Sequence, residues 1–399
     1  MTTPYRSDSA TPAANALRDD FLLKPGVIFL NHGSFGACPR SVFEEYQRWQ
    51  LELERQPVEF LGRRHNDLMR AAREALAGFL GADACDVVYV PNATTGLNIV
   101  ARSLRLEPGD EVLATNHEYG ALDRTWRCVC AKRGARYIRQ PVPVPITSAG
   151  DVVDAIWSGV TPRTRVLFVS HITSPTAIIF PVAELIRRAR TAGIVSVIDG
   201  AHAPGQIPLN LEELGADVHC GNVHKWAQAP KGCGYLYVRR ELQPAIEPLV
   251  VSWGWESEKP GPSRFVDEQE WQGTRDVAPY LAAPAALRYM REHDWPAVQA
   301  RCHALLRDAR ARITALTGLP PIIPDDPAWY AQMAAFPLPR CDLDALKRRL
   351  YDEYHVEVPL VAWNGLQLVR MSVQAYNTGE DIDALLCGLA ELLPQVAAE

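Results

Sequence analysis

Residues 195–226 read VSVIDGAHAPGQIPLNLEELGADVHCGNVHKW. The stretch opens on a short β-branched run, Val195, Val197 and Ile198, and stops abruptly at Asp199-Gly200-Ala201-His202. A second apolar run, residues 216–220, stops at Gly221-Asn222-Val223-His224-Lys225-Trp226. Short, uninterrupted apolar runs of this kind are the pattern of strands buried on both faces. Two such strands deliver a carboxylate, Asp199, and an amine, Lys225, to one edge of one sheet.

Working outward, the same pattern recurs. Residues 27–30 (VIFL) end at Asn31-His32-Gly33-Ser34-Phe35-Gly36, where glycines permit positive φ and close backbone approach. Pro39-Arg40-Ser41 then starts a helix, with Ser41 and Glu44 spaced as a capping box, and an Arg-rich helical flank runs to about Gly81. The apolar run at 87–90 leads through Pro91-Asn92-Ala93-Thr94-Thr95-Gly96 into an amphipathic helix with Leu97, Val100, Ala101 and Leu104 on one side. Small and hydroxyl residues at a helix start present free N–H groups at the positive end of the dipole, which is a cradle for phosphate. A threonine N-cap without any ligand has the same local sequence.

Further strands at 111–114, 136–139, 165–169 and 233–238 alternate with helical segments, which argues for an α/β fold with a mainly parallel sheet. Ligands in such sheets bind at the carboxyl ends of the strands. Asn92 to Thr95, Glu118 and Tyr119, residues 170–174, Asp199 to His202 and Asn222 to Lys225 all fall at that edge. The convergence of five such turns carries more weight than any one of them.

The pattern changes after Pro244. Residues 253–267 are rich in Trp, Glu, Gly and Pro and read as a long loop, with Trp253-Gly254-Trp255 as interface packing. A helix at 279–292, strands at 332–336 and 367–371 and helices at 342–353 and 381–392 then form a smaller α+β unit. The expected division is a mobile arm at 1–26, a large domain at 27–275 and a small domain at 276–399 that takes contributions from the N-terminal segment.

The chain has 399 residues, 47% of them hydrophobic, and a net charge of −6 with acids and bases mixed along its length. That balance gives no reason to expect nucleic acid or an anionic membrane as a partner. No apolar segment approaches the ~20 residues that span a bilayer, and the N-terminus lacks the apolar core of a secretory signal. A cytoplasmic protein is expected. Nine scattered cysteines read as reduced core residues, and the Cys128 and Cys130 pair lacks the second half of a zinc site, so no metal is expected.

An amine and a carboxylate at one sheet edge, beside a phosphate cradle, match the needs of pyridoxal 5′-phosphate. That cofactor takes a lysine for covalent attachment and an acid to keep its ring nitrogen protonated. Lys225 and Asp199 are the candidates.

Asp199-Gly200-Ala201-His202 with His224-Lys225 resembles fold-type I pyridoxal phosphate enzymes of the class V aminotransferase group, which includes cysteine desulfurases. The order of the motifs at 31–36, 92–96, 170–175 and Trp271-Gln272-Gly273-Thr274-Arg275-Asp276 is similar to the isopenicillin N epimerase-like branch. The resemblance implies a mainly parallel seven-stranded sheet in a large domain. It also implies Lys225 as the Schiff-base lysine, Asp199 on the pyridine nitrogen, and Thr94, Thr95, Asn222 and His224 about the phosphate. Thr274 would reach the phosphate of the neighbouring subunit, which implies a homodimer with shared active sites. Tyr119 takes the place of a ring-stacking histidine, Ser174 and His202 lie near the phenolic oxygen, and Arg370 takes the substrate carboxylate. Asn31 and His32 are expected to line the substrate side. His117 and His171 read as structural.

The resemblance further implies an enzyme acting at Cα of an amino acid through a quinonoid carbanion. Lys225 would remove the Cα proton, and a group at or beside Tyr119 would return one from the opposite face, giving epimerisation. Cysteine-conjugate C–S β-lysis to pyruvate and ammonia uses the same residues, aminotransfer is a further outcome, and a non-catalytic cofactor-binding protein is the reading from another class. Desulfurases carry a nucleophilic cysteine on a mobile loop. Here the only candidate for such a cysteine in the C-terminal domain is Cys341, directly before a helix N-cap at Asp342, so persulfide chemistry is not expected.

Overall fold

The computed structural model describes residues 17–397; the first sixteen residues of the expected N-terminal arm lie outside the described residues. The strands are β1 (Ile28–Phe29), β2 (Val87–Val90), β3 (Glu111–Thr115), β4 (Arg136–Gln140), β5 (Thr164–Ser170), β6 (Val195–Gly200), β7 (Val218–Asn222), β8 (Gly234–Val238), β9 (Met333–Leu338), β10 (Val356–Glu357), β11 (Leu360–Trp363) and β12 (Leu366–Ser372).

Seven of them form the central sheet in the order β2-β8-β7-β6-β5-β3-β4. Only β8 runs against its neighbours, β2 and β7; the other pairs are parallel. Side chains alternate across the sheet with a period of two. Val88, Val90, Val112, Phe168, Val197 and Val218 join one core, beneath the helices Ala93–Ser103 and Gly120–Arg133. Val87, Tyr89, Leu113, Leu167 and Ile198 join the other. Two covered faces explain why these strands carry no polar alternation.

β11, β12 and β9 form a separate antiparallel sheet. The helix Trp295–Thr317 packs on it and buries Val298, Cys302, Leu306, Ala309 and Ile313. β1 pairs in parallel with β10, Ile28 opposite Val356, so the chain's start is tied to its C-terminal part.

Three local expectations need correction. The helix Arg40–Arg55 has Pro39 as its N-cap and no side-chain cap, because Ser41 lies inside the first turn. The expected 279–292 helix is two, Ala278–Leu281 and Ala283–Glu292. Pro284 has no N–H to donate to the carbonyl four residues back, and the turn breaks there. A short helix, Arg264–Glu270, starts inside the expected loop, where the Ser263 side chain accepts from the Val266 N–H. Among the described residues, no helix is long and apolar enough to cross a membrane and no acid, histidine and cysteine cluster could hold a metal ion.

Candidate active site

The carboxyl ends of β5, β6 and β7 open onto a cleft of about 380 Å³. Thr94, Tyr119, Ser174, Asp199, His202, Asn222, His224, Lys225 and Arg370 all line it. Asp199 stands in register with Cys220 of β7, so one sheet edge presents the acid and, three residues beyond Asn222, the amine.

Lys225 is partly open to the cleft yet surrounded by protein. That loss of solvent, helped by Arg370 and opposed by Asp199, pushes its amine down to about 7. Asp199 is buried, and desolvation raises its carboxyl to about 6 against the Ala201 N–H bond (2.9 Å) and the Lys225 charge. A cationic ring nitrogen placed against it would supply the missing counter-charge. The turn at 33–36 presses on the lysine from outside. Gly36 has φ +74°, and a Cβ there would overlap the His224 carbonyl and sit 2.9 Å from the Lys225 Cα.

At the start of the helix Ala93–Ser103, the Ala93 N–H donates to Asn222 Oδ1 (2.8 Å) and the Thr95 N–H to Asn92 Oδ1 (2.9 Å). Among the described residues the Thr94 N–H has no acceptor at the positive end of the helix, an opening for an anion. The Thr95 hydroxyl is turned to Asn92 (3.2 Å), and Thr95 does not line the cleft. His224 gives its Nδ1 proton to the Cys233 carbonyl (2.8 Å), and burial lowers the ring to about 4. Donation from its Nε2 to a phosphate would therefore need a second proton. These residues suit pyridoxal phosphate: a cradle with an orphan N–H, a buried acid and an amine pushed down to about 7.

Arg370 on β12 is 7% exposed, donates to the Ser174 carbonyl (2.5 Å) and hydroxyl (3.3 Å) and to Ser34 Oγ (3.1 Å), and its Nε has no partner among the described residues. Burial lowers it to about 10. Tyr119, the residue before the helix Gly120–Arg133, is 47% exposed, which leaves its ring available to a stacked partner.

Two expected contacts are placed elsewhere. Asn31 lies behind the cleft, where its Oδ1 accepts from Ser34 Oγ (2.5 Å) and its amide donates to Glu357 (3.0 Å), so it acts on Arg370 only through Ser34. His32 is fully buried between Tyr376 and the Lys225 carbonyl (3.0 and 2.9 Å) and does not line the cleft. Thr274, expected to reach the phosphate of a neighbouring subunit, is exposed and lies away from the cleft of its own chain.

The sequence reading missed Ser34 as a ligand of Arg370, Glu118 as a buried anchor and Trp226 behind His202. Glu118 accepts from Thr115 and Ser170 (both 2.6 Å), and burial raises it to about 8. Its place beside Tyr119 at a strand end was the available signal. Trp226 follows the lysine directly.

The sequence profile of the aminotransferase class V family matches residues 37–385. Isopenicillin N epimerase of Amycolatopsis lactamdurans is 36% identical over 397 residues, covering 96% of this chain and 99% of that one. L-Cysteine desulfhydrase of Arabidopsis thaliana is 30% identical over 420 residues, with 92% and 88% covered. Among solved structures, the cysteine desulfurase CsdA of Escherichia coli superposes with a TM-score of 0.77 at 24% identity, covering 95% and 98%. The cystine C–S lyase C-DES, in complex with cysteine persulfide, gives 0.79 at 23%, covering 94% and 99%. At those identities the structural likeness is one of fold.

Proposed function

The chain is a pyridoxal phosphate enzyme of the aminotransferase class V family, and we propose that it acts at Cα of an amino acid as an epimerase of the isopenicillin N epimerase type. The observation that carries the substrate class is Arg370: a buried guanidinium with no ion-pair partner among the described residues, in the same cleft as Lys225. It offers a two-pronged fit to an α-carboxylate. The relative that is 36% identical over nearly the whole chain supports the epimerase label.

Pyridoxal phosphate, when bound, supplies an aldehyde that captures amines and a ring that draws electron density from Cα. Lys225 holds the cofactor and, with its amine near 7, serves as base at Cα at neutral pH. Asp199 holds a proton at the ring nitrogen. Thr94 and Asn222 would hold the phosphate end, joined by His224 once it takes up a second proton; His202 and Ser174 would attend the phenolic side, and Tyr119 would lie against the ring and return a proton from the face opposite Lys225.

We take the working unit to be a homodimer. Trp253 is 84% exposed and Phe35, at the cleft mouth, 71%, surface that a second copy would cover. The exposed Thr274 then points its role toward a neighbour's phosphate. Equilibrium sedimentation giving a monomer at micromolar concentration would remove this part of the reading. Nine free cysteines suit a reducing compartment, and we place the protein in the cytoplasm.

C–S β-lysis is the second reading, supported by the L-cysteine desulfhydrase relative. Incubation with a panel of amino acids and cysteine S-conjugates in D₂O separates the outcomes. Deuterium at Cα with inversion is the expected result, pyruvate with ammonia means a lyase, and an oxo acid with pyridoxamine phosphate means an aminotransferase. No exchange or turnover with any of them would leave a non-catalytic cofactor-binding protein.

A further inference from the structure

Trp226, the residue after the lysine, is fully buried among Ile172, Ala177 and Met333. Its indole Nε1 lies 3.3 Å from Nδ1 of His202. An indole nitrogen only donates, so Nδ1 of His202 accepts, and the single proton of a neutral imidazole sits on Nε2. That Nε2 lies 3.3 Å from Nζ of Lys225. The imidazole is neutral because it is out of solvent, and because Lys225 beside it, Arg370 from β12 and His32 from the 31–36 turn all lower its pKa. Asp199, three residues earlier, is the acid of the same site. The Trp226 ring is itself held, tilted against His32 with centroids 4.9 Å apart.

We propose that Trp226 is a positioning residue that locks His202 in the Nε2–H tautomer, so that the nitrogen facing position 225 is always a donor. An N–H aimed at Nζ is satisfied only by a lone pair and therefore disfavours a proton on the lysine nitrogen. The other tautomer would present a lone pair instead and favour the protonated form. Trp226 thus acts on the site through His202. The inference rests on the reading of Lys225 as the cofactor's lysine.

The test is the pH titration of the holoenzyme's visible absorbance. Trp226→Phe keeps a ring and removes the N–H; the midpoint is expected to rise by roughly half to one pH unit, the size of one hydrogen bond. His202→Leu offers neither a donor nor an acceptor to position 225, so adding Trp226→Phe to it should give no further rise. No rise in Trp226→Phe, or an equal rise in both backgrounds, overturns the proposal. Should Trp226→Phe fail to fold, ¹⁵N-histidine spectra of the unaltered holoenzyme decide: His202, identified by its loss in His202→Gln, is expected bare at Nδ1 and protonated at Nε2, and the reverse overturns the lock. Borohydride reduction with peptide mapping runs alongside. Cofactor found on another lysine would sink the functional reading while leaving the tautomer result intact.

Discussion

Nη1 of Arg370 lies 2.5 Å from the carbonyl oxygen of Ser174, a residue 196 positions earlier in the chain. The bond fixes the guanidinium at the cleft while its Nε has no partner among the described residues. A buried cation held only by neutral groups is costly unless a counter-ion arrives.

Substitution Arg370→Lys keeps the charge and loses the fork. A hydrogen bond to a charged group contributes about 1.5–3 kcal/mol, so kcat/KM should fall roughly ten- to hundred-fold, and further in Arg370→Ala. Competition assays with the amine lacking the α-carboxylate should show no such loss. Equal losses for both compounds would remove the carboxylate role.

The displaced amine of Lys225 has a consequence for stability without cofactor. The unfolded chain keeps its lysine proton up to about 10.5, whereas the folded chain releases it at about 7. Between those values the unfolded state binds more protons, so this group makes stability rise with pH across the window. Relative to Lys225→Met, the apoprotein's thermal midpoint should therefore climb from pH 7 to pH 9. Parallel melting curves would contradict the lowered amine.

Gly36→Ala combines φ +74° and ψ 166°, a region essentially reserved for glycine that costs another residue roughly 1–3 kcal/mol, with overlap against the His224 carbonyl. Relief must move the backbone that carries Lys225. Denaturant titration should show a loss of about 2–4 kcal/mol, together with weaker retention of cofactor on dialysis. Gly26→Ala, at φ +76° with nothing within 4 Å, serves as the control for φ alone.

Cys341 is 4% exposed, precedes the N-cap Asp342 and does not line the cleft. Cys341→Ser should leave kcat/KM unchanged within about twofold. A complete loss of turnover, with a persulfide detected on the unaltered protein by mass spectrometry, would restore the desulfurase chemistry that its position argues against.

The strands of the central sheet were legible because burial on both faces leaves a continuous apolar run in the residues themselves. The helix Trp295–Thr317 was not identified, although Val298, Cys302, Leu306, Ala309 and Ile313 recur at helical spacing. Its many arginines and alanines dilute that stripe. The reversed direction of β8 had no local signal, since an apolar strand reads the same in either sense.

His32 shows where local reading stops. A histidine in a glycine turn at a strand end looks like a ligand to substrate, but Tyr376, 344 residues away, closes over it and turns it toward the Lys225 carbonyl.

By itself the order of residues determined the alternation of strands and helices, the turns at their ends and the pairing of an acid with an amine. Those follow from periodicity and turn chemistry within a few residues. Only the tertiary structure decided which turn residues face the cleft, which nitrogen of His202 and of His224 carries the proton, and that the lysine amine is pushed down to about 7. Desolvation and hydrogen bonding are set by groups from distant parts of the chain, and no local window contains them.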